Sequence, residues 1–350
     1  MSSLLIKNGF ELNPYDTCVA NSIIDGTQCT IVYHVDDLKI SHVKESVVKK
    51  VLKFLTKRYG ELQTVTGHRF DYLGMNLDFG TEGVLKMDMK GFVAKIVDEA
   101  PDMTGVAVTP AAGHLYNVNE DCDKLEDDRA QRFHTIVAKL LFLCKRARPD
   151  IQTAVAFLCT KVKAPDEDDW KKLKKGIVYL RGTMSMVMTL GWTSDTLRVW
   201  VDASFGVHPN MRSQTGITMS MGTGMFQCIS TKQRLNTRSS TEAELVGVDD
   251  GLPHVLWTAN FMRAQGYELV NVELHQDNQS AMMLETRGKA SSSRRTRHLD
   301  IRYFFIKDKV EKKEITIKYE PTEAMVADYL TKPLQGKMFQ KFRGAIMGAD

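Results

Sequence analysis

The stretch VWVDASFG, residues 199–206, decides the fold of the second half of the chain. Apolar and polar residues alternate over Leu197–Val201, and the alternation ends at Asp202. This pattern is typical of a half-buried β-strand. The runs Ile217–Met221 and Phe226–Ile229 alternate in the same way, so three successive strands are predicted.

A helix is predicted after these strands, because Ser239 is followed three residues later by Glu242, the spacing of a capping box. Pro253 is expected to kink or split this helix, since proline has no N–H to donate. Further strands are predicted at Val272–Gln276 and Ile315–Tyr319. The order β-β-β-α-β-α-α-β-α predicts an α+β or α/β domain with a five-stranded mixed sheet flanked by helices.

Four carboxylates fall where these elements would present them. Asp202 ends the first strand and Asp277 ends the fourth, while Glu244 lies in the first turns of the helix. Asp328 lies on a short helix predicted at Ala324–Leu330. Strand ends and adjoining helix starts are where an open sheet presents functional groups. Four acids meeting there would repel one another unless cations neutralised them, and hard oxygen ligands select Mg²⁺ or Mn²⁺.

Each acid taken alone has a simpler explanation. A solvated strand end or a charge at a helix N-terminus is the commoner role of such a residue. Glu242 in particular is explained as the partner in the capping box. The combination of element order with acid placement favours the metal site.

Six motifs give this half a family resemblance: WVDAS (200–204), STKQ (230–233), SSTEAEL (239–245), DNQSA (277–281), RHLDIRYFFI (297–306) and ADYLTKPL (327–334). Over residues 197–334 the chain resembles the ribonuclease H of copia-type LTR retrotransposon polyproteins. The resemblance implies two-metal hydrolysis of RNA in RNA·DNA hybrids, with two Mg²⁺ (or Mn²⁺) ions. The catalytic and metal-binding set that it implies consists of Asp202, Glu244, Asp277 and Asp328.

The resemblance also implies a role for each acid. Asp202 would bridge both ions, Glu244 and Asp277 would hold the ion at the leaving group, and Asp328 would hold the ion that activates water. Cellular ribonucleases H have a His in the loop before the last acid, whereas residues 319–328 contain none. This departure bears on proton handling rather than on metal binding.

Two other functions remain as alternatives. A catalytically inert element remnant could bind nucleic acid without cutting it, but the four intact acids favour the enzyme. The other alternative, an integrase-type nuclease of related fold, has less support. The acidic set of that class ends with a Glu and lacks the helix acid of the STEAEL motif.

The first half carries a second resemblance, to the reverse transcriptase of the same polyproteins. IVYHVDDLKISH (31–42) resembles the Asp-Asp hairpin of the palm, and FDYLGMNLDFG (70–80) resembles the segment that follows it. KRARPDIQTAV (145–155) and WKKLKKGIVYLRGT (170–183) resemble the thumb and connection region. The chain would then join a truncated reverse-transcriptase palm, thumb and connection region to a ribonuclease H-like domain.

The hairpin in this half is predicted between strands Thr30–Val35 and Leu38–Val43. The resemblance implies that Asp36 and Asp37, between those strands, are a polymerase-type metal pair, although His34 stands where the family usually has Tyr. Periodicity predicts the remaining elements of the first half: strands around Tyr72–Phe79 and Val84–Asp88, and helices at Glu45–Arg58, Arg132–Cys144, Ile151–Val162 and Trp170–Arg181.

Three regions are predicted from these patterns. They are a partial palm at 1–105, a thumb- and connection-like helical region at 106–192, and the ribonuclease H-like domain with a C-terminal helical tail at 193–350. Residues 119–128 hold six carboxylates and are expected to form a solvated linker. The strand with the first catalytic Asp and the fingers are expected upstream of Met1, so we expect no DNA synthesis from this chain alone. The upstream part of the same polyprotein is a candidate partner.

Basic residues are the candidate contacts for nucleic acid. One cluster, next to the predicted site, consists of Arg294, Arg295, Arg297, His298 and Arg302. A second run lies on one helix and consists of Lys171, Lys172, Lys174 and Lys175, where a solvated helix face is an equally good explanation. Phosphate contacts set affinity rather than sequence preference, and an RNA·DNA hybrid would be selected by its shape and 2′-hydroxyls.

Composition limits the remaining possibilities. The chain has 350 residues, 47 Lys and Arg, 43 Asp and Glu, and a net charge of +4, which is too mild to identify a nucleic-acid partner by itself. The six cysteines lack CxxC spacing, and neither a signal peptide nor a membrane-spanning run is recognisable. We therefore expect no membrane partner and a location inside the cell. The family resemblance implies that this location is a cytoplasmic virus-like particle or the nucleus.

Overall fold

A computed structural model of the chain describes residues 1–269, 271–287 and 300–349. Within these ranges the backbone forms eleven α-helices, fourteen strands and three β-sheets. The molecule is thus a mixed α and β structure, and the predicted fold class is confirmed.

The first sheet is an antiparallel meander with the strand order β1-β2-β3-β4. Two helices, α1 and α2, pack on it around a core that includes Leu5, Ile31 and Val51. The predicted helix Glu45–Arg58 corresponds to α2, and the segment before residue 25 was not assigned from the sequence. The elements are α1 Ser2–Lys7, β1 Glu11–Asn13, β2 Asp16–Ile24, β3 Thr27–His34, β4 Asp37–Ser41 and α2 Glu45–Tyr59.

The predicted Asp-Asp hairpin is present, but its turn lies one residue earlier than expected. His34 pairs with Asp37, so Val35 and Asp36 form the turn and Asp37 already belongs to β4. Val35 has a φ of +52° and is 83% exposed. A β-branched residue rarely adopts this left-handed conformation, so the turn is strained.

The second sheet has the order β11-β8-β7-β6-β5 and combines segments far apart in the chain. The single strand predicted at Tyr72–Phe79 is wrong: it is two strands, which a turn at Leu73 and Gly74 separates, both with positive φ. The strands are β5 Arg69–Tyr72, β6 Met75–Thr81, β7 Val84–Asp88, β8 Met188–Trp192 and β11 Gly222–Thr223.

Helices fill the middle of the chain, as predicted, but two of them begin earlier. The last two residues of the expected linker, Asp127 and Asp128, form the first turn of a helix, where negative charge is favourable. Asp166 and Asp169 form a capping box that starts another helix. The helices are α3 Lys90–Asp98, which the sequence did not reveal, α4 Asp127–Cys144, α5 Gln152–Cys159 and α6 Glu167–Gly182.

The third sheet has the order β12-β10-β9-β13-β14, with β13 parallel to both of its neighbours. The predicted order of elements is observed, with the short strand β11 added, and a helix follows near the C-terminus, where a helical tail is predicted. The elements are β9 Thr196–Ser204, β10 Gln214–Ser220, β12 Gln227–Lys232, α7 Ser240–Ala264, β13 Asn271–Gln276, α8 Gln279–Arg287, α9 Asp300–Glu311, β14 Thr316–Tyr319, α10 Asp328–Thr331 and α11 Gly336–Met347.

Helix α7 runs without interruption through Pro253, so the expectation that proline splits it is wrong. The missing N–H is tolerated here because the helix packs along the sheet, with Leu245, Leu252 and Val255 fully buried.

The other face of this sheet shares its core with the helical region. One hydrophobic cluster extends from Met89 through Phe133 and Tyr179 to Tyr329 and Phe342. Buried hydrogen bonds around Asp150 also connect these two parts. The guanidinium of Arg148 binds both carboxylate oxygens of Asp150 at 2.8 Å. The Tyr179 hydroxyl donates to the Asp150 carboxylate at 2.7 Å, and the Tyr329 hydroxyl donates to the backbone carbonyl of Asp150 at 2.8 Å.

Candidate functional site

Asp202 lies inside β9, two residues before the strand ends, rather than at its end as predicted. Its backbone neighbour in β10 is Gly216, and a Cβ there would lie 2.7 Å from Thr331 and 2.8 Å from the carbonyl of Ala327. The glycine thus lets α10 pack directly on the sheet beside Asp202. The Asp202 carboxylate is 2% exposed and accepts a hydrogen bond from the Thr331 hydroxyl.

Asp277 and Asp328 reach the same place from other elements. Asp277 directly follows β13, as predicted, is half-buried and accepts a hydrogen bond from Thr322 at 3.1 Å. Asp328 is the first residue of α10 and is buried. One carboxylate oxygen from each of Asp202, Asp277 and Asp328 lies within 4.8 Å of the other two. In the part of the chain that the structure describes, this is the only such group of three or more His, Cys, Asp or Glu residues.

Glu244 lies beside this group rather than in it. It comes from the second turn of α7 and is buried. Among the described residues its Oε2 atom has no hydrogen-bond partner. A buried carboxylate oxygen without a partner is unusual, and here it lies close enough to Asp202 and Asp277 to feel their charge.

Burial and mutual repulsion dominate the electrostatics of the site. Burial, with the charge of Asp202, raises the pKa of Asp328 to about 7. Burial, together with Asp202 and Asp277, raises the pKa of Glu244 well above its usual range. Burial also raises the pKa of Asp202. Such a set of oxygen donors, crowded and deprived of water, fits a hard divalent cation.

One positive charge in the site was not found from the sequence. The ammonium of Lys332 lies 2.6 Å from Asp328 and 3.7 Å from Asp202. Its position four residues after Asp328 is the spacing at which helical side chains pair, and this could have revealed it. Burial alone would lower the pKa of Lys332, but Asp202 and Asp328 outweigh it and raise that pKa.

A fully buried carboxyl group, Glu285 of α8, was also missed. The side-chain amide of Gln276, turned to suit its neighbours, donates to the two Glu285 oxygens at 3.0 and 3.3 Å. Gln276 immediately precedes Asp277, so this contact anchors the end of β13 behind the site. A single Glu on an amphipathic helix gives no signal of burial, which explains why the sequence did not reveal it.

Glu242 takes part in the cap of α7, as the sequence predicted, but its carboxylate has a different hydrogen-bond partner. Its N–H donates to the Ser239 hydroxyl at 3.2 Å, which caps α7. Its own carboxylate accepts from the N–H of Arg238 rather than from that of Ser239. The two acids of this helix start thus have separate environments, one at the cap and one beside the acidic group.

The structure does not bring the Asp36 and Asp37 side chains together with a third acid among the described residues. Both are exposed at the tip of the β3–β4 hairpin. Their polymerase-type role stays a prediction.

The basic residues divide into two groups. Arg294, Arg295, Arg297 and His298 lie outside the described residues, as does the side chain of Arg302. On α6, Lys172 is 10% exposed, pairs with Asp168 at 2.8 Å and lies 4.7 Å from the Phe157 ring, so it serves packing. Lys171 and Lys174 are exposed and Lys175 is half-buried. No described helix is both long and apolar enough to span a membrane.

The amino-acid sequence is similar to parts of several known proteins. No family model matches. It is 24% identical over 317 residues to the retrovirus-related Pol polyprotein of transposon TNT 1-94 from Nicotiana tabacum, covering 89% of this chain and 24% of that protein. It is 28% identical over 321 residues to that of transposon RE2 from Arabidopsis thaliana, covering 89% and 21%. A Ty1 Gag-Pol polyprotein from Saccharomyces cerevisiae is 22% identical over 342 residues, covering 91% and 19%.

One solved structure, a reverse transcriptase, shares the fold. A foamy viral protease-reverse transcriptase, determined in complex with an RNA/DNA hybrid, aligns with a TM-score of 0.50 and 14% identity, covering 83% of this chain and 36% of that one. A ribonuclease H1 isolated from compost aligns with a TM-score of 0.30 and 14% identity, covering 39% and 92%.

The relatives are much longer than this chain, which spans about a quarter to a fifth of their length. The matches nevertheless cover about nine-tenths of this chain. They agree with the copia-type Pol fragment that the sequence predicts. The chain is therefore a homologue of the retrovirus-related Pol polyproteins of plant and yeast transposons.

Proposed function

We propose that this chain is a metal-dependent ribonuclease H that hydrolyses the RNA strand of RNA·DNA hybrids. The observation that carries the proposal is the group of Asp202, Asp277 and Asp328 oxygens within 4.8 Å of one another. The group lies on the central strand β9 and at the end of its neighbour β13, in a sheet whose order of elements resembles that of a ribonuclease H. The Pol relatives and the fold shared with a reverse transcriptase that was solved with an RNA/DNA hybrid support it.

The four acids would hold divalent cations, Mg²⁺ or Mn²⁺, and a pair of ions is the number that the family resemblance implies. When bound, such ions lower the pKa of water and stabilise charge on the leaving oxygen. The contribution of the chain is to keep the carboxylates close together in a buried place. Thr331 and Thr322 orient the carboxylates of Asp202 and Asp277 through hydrogen bonds.

The test is cleavage of an RNA·DNA hybrid, duplex DNA and duplex RNA by the full chain with Mg²⁺. We expect cleavage of the hybrid alone, and we expect Asp277→Asn to abolish it while circular dichroism stays unchanged, since Asp277 is only half-buried. Glu242→Gln is the matched control, because it lies two residues from Glu244 and serves the helix cap. It should keep cleavage and lose at most about 1 kcal/mol of stability.

Two results would count against parts of this proposal. Near-normal cleavage by Asp277→Asn would remove that residue from the mechanism but leave the activity standing. Wild-type chain that binds the hybrid without cutting it would favour the inert nucleic-acid-binding remnant. Arg294, Arg295 and Arg297 stay candidate phosphate contacts in either case, and a location in a virus-like particle or in the nucleus stays part of the proposal.

We also propose that this chain does not synthesise DNA by itself. The supporting observation is that Asp36 and Asp37 are exposed and, among the described residues, have no third acid with which to bind metal. The experiment is primer extension on an RNA template with Mg²⁺ and all four nucleotides. Extension that disappears in an Asp36→Asn, Asp37→Asn double variant would overturn this proposal.

A further inference from the structure

Lys332 places a positive charge at the position where the proposed function needs a metal ion. Its ammonium is 2.6 Å from the Asp328 carboxylate and 3.7 Å from that of Asp202. Lys332 N–H donates to the carbonyl of Asp328, so the backbone of α10 holds the lysine next to the acid. The side chain is 40% exposed, which leaves it a path toward solvent.

The neighbouring carboxyl groups explain why the site needs a positive charge when no metal ion is bound. Asp202 and Asp328 are almost fully buried and close to Asp277, and Glu244 adds a fourth carboxyl group beside them. Like charges at this distance repel strongly in a poorly solvated site. Within the described parts of the chain, Lys332 is the one basic residue that forms ion pairs with any of these four acids.

We propose that Lys332 is a built-in counter-ion, which occupies a cation position of the acidic group until a divalent ion replaces it. The inference rests on the proposed function, because it assumes that the acids bind a divalent cation. Metal binding and withdrawal of the ammonium are then one coupled event. The metal-free site is kept compact, and the affinity for the ion is lower than the four acids would otherwise give.

This role differs from simple ion pairing at the protein surface. An exposed pair between positions i and i+4 contributes little and controls nothing. Asp308 on α9 and Lys312, the residue after the helix, form such a pair, at 2.9 Å with the same sequence spacing. Lys312 therefore provides a matched control for Lys332.

The experiment is titration of the full chain with Mn²⁺, in which electron paramagnetic resonance measures free Mn²⁺, with no nucleic acid present. Lys332→Met should bind Mn²⁺ about tenfold more tightly than the wild type, because it removes a competing charge from the site. Lys332→Arg keeps the charge and should stay close to the wild type. Lys312→Met should leave the affinity unchanged.

Thermal unfolding in EDTA gives a second readout. Lys332→Met should melt at a lower temperature than the wild type without metal, since the acids lose their counter-ion, and should gain more on addition of Mn²⁺. Equal or weaker Mn²⁺ binding by Lys332→Met, in a chain whose Asp277→Asn variant does lose binding, would overturn this inference and leave the proposed function standing. Failure of both the wild type and Lys332→Met to bind Mn²⁺ would overturn the two together.

Discussion

Glu285 shows at the scale of one residue how the fold forces a proton onto a carboxyl group. The side chain is fully buried on α8, and burial raises its pKa to about 8. The Gln276 amide stabilises the charged form in part, yet burial outweighs it. Burial thus keeps Glu285 protonated at neutral pH, behind the group formed by Asp202, Asp277 and Asp328.

This burial makes stability depend on pH. In the unfolded chain Glu285 ionises near 4.5, while the folded chain keeps the proton up to about 8. The folded state therefore binds more protons between those values, and the stability from this residue is lost as the pH rises through about 8. Glu285→Gln should be as stable as the wild type at pH 5 and more stable at pH 9, by on the order of 3 kcal/mol.

Urea unfolding of both proteins across this pH range measures the effect. Glu311→Gln, at the exposed end of α9, is the control and should follow the wild type. Parallel stability curves for Glu285→Gln and the wild type would contradict the prediction.

The β3–β4 hairpin shows at the scale of an element that sequence motif and backbone preference can conflict. Val35 stands at a turn position with φ +52°, a conformation that suits glycine. Sterically unfavourable positions of this kind cluster at functional sites, where other constraints retain them. The motif places Asp36 and Asp37 at the tip of the hairpin. Val35, which lies between β3 and these acids, adopts the strained conformation.

Val35→Gly should therefore raise the free energy of unfolding by roughly 0.5–1 kcal/mol, because relief of the left-handed strain exceeds the added freedom of the unfolded chain. Val43→Gly is the control, since Val43 is also exposed and has no positive φ. It should lower stability instead. Denaturant titration decides, and a loss of stability in Val35→Gly would contradict the strain argument.

The order of strands and helices in the third sheet could be predicted from the sequence. Apolar and polar alternation and the Ser239 cap revealed this order, because both signals are local. The sequence predicts the end of β9 at Asp202 rather than at Ser204, because Asp202, Ala203 and Ser204 are all buried and break the alternation, although all three pair with β10. The path of α7 through Pro253 was missed for a similar reason, since packing on the sheet outweighs local preference.

The candidate site was predicted to a similar degree. The positions of Asp202, Glu244, Asp277 and Asp328 followed from element order and family motifs, and the structure brings three of them within 4.8 Å. Lys332 and Glu285 were not predicted, because their roles depend on contacts between elements. The basic cluster at 294–298 lies outside the described residues and stays a prediction.

At the scale of the whole molecule, the predicted boundary near 193 cuts through a continuous core. Tyr329 and Phe342, from α10 and α11, pack in one cluster with Phe133 and Tyr179 of the helical region. The segment 193–350 by itself would expose these apolar side chains to water. Burial of such groups is the main favourable contribution to folding.

We expect a fragment of residues 193–350 to be much less stable than the full chain, and to bind a hydrophobic dye such as ANS. The full chain, studied under the same conditions, is the control and should show one cooperative transition for α10, α11 and the helical region. A fragment that unfolds cooperatively at the same urea concentration as the full chain would show that the ribonuclease H-like region is an independent domain.

The hydrogen bonds from Tyr329 and Tyr179 to Asp150 have a consequence for reading genomes. Asp328 lies on a one-turn helix whose position depends on Asp150, Arg148 and Tyr179 as well as on the sheet. A homologue that kept all four acids, but lost the helical region through deletion, would have its last carboxylate on an unsupported turn. The four acids are therefore not enough to identify a homologue with the same site in a genome, and such a search should also require the Arg148–Asp150 pair.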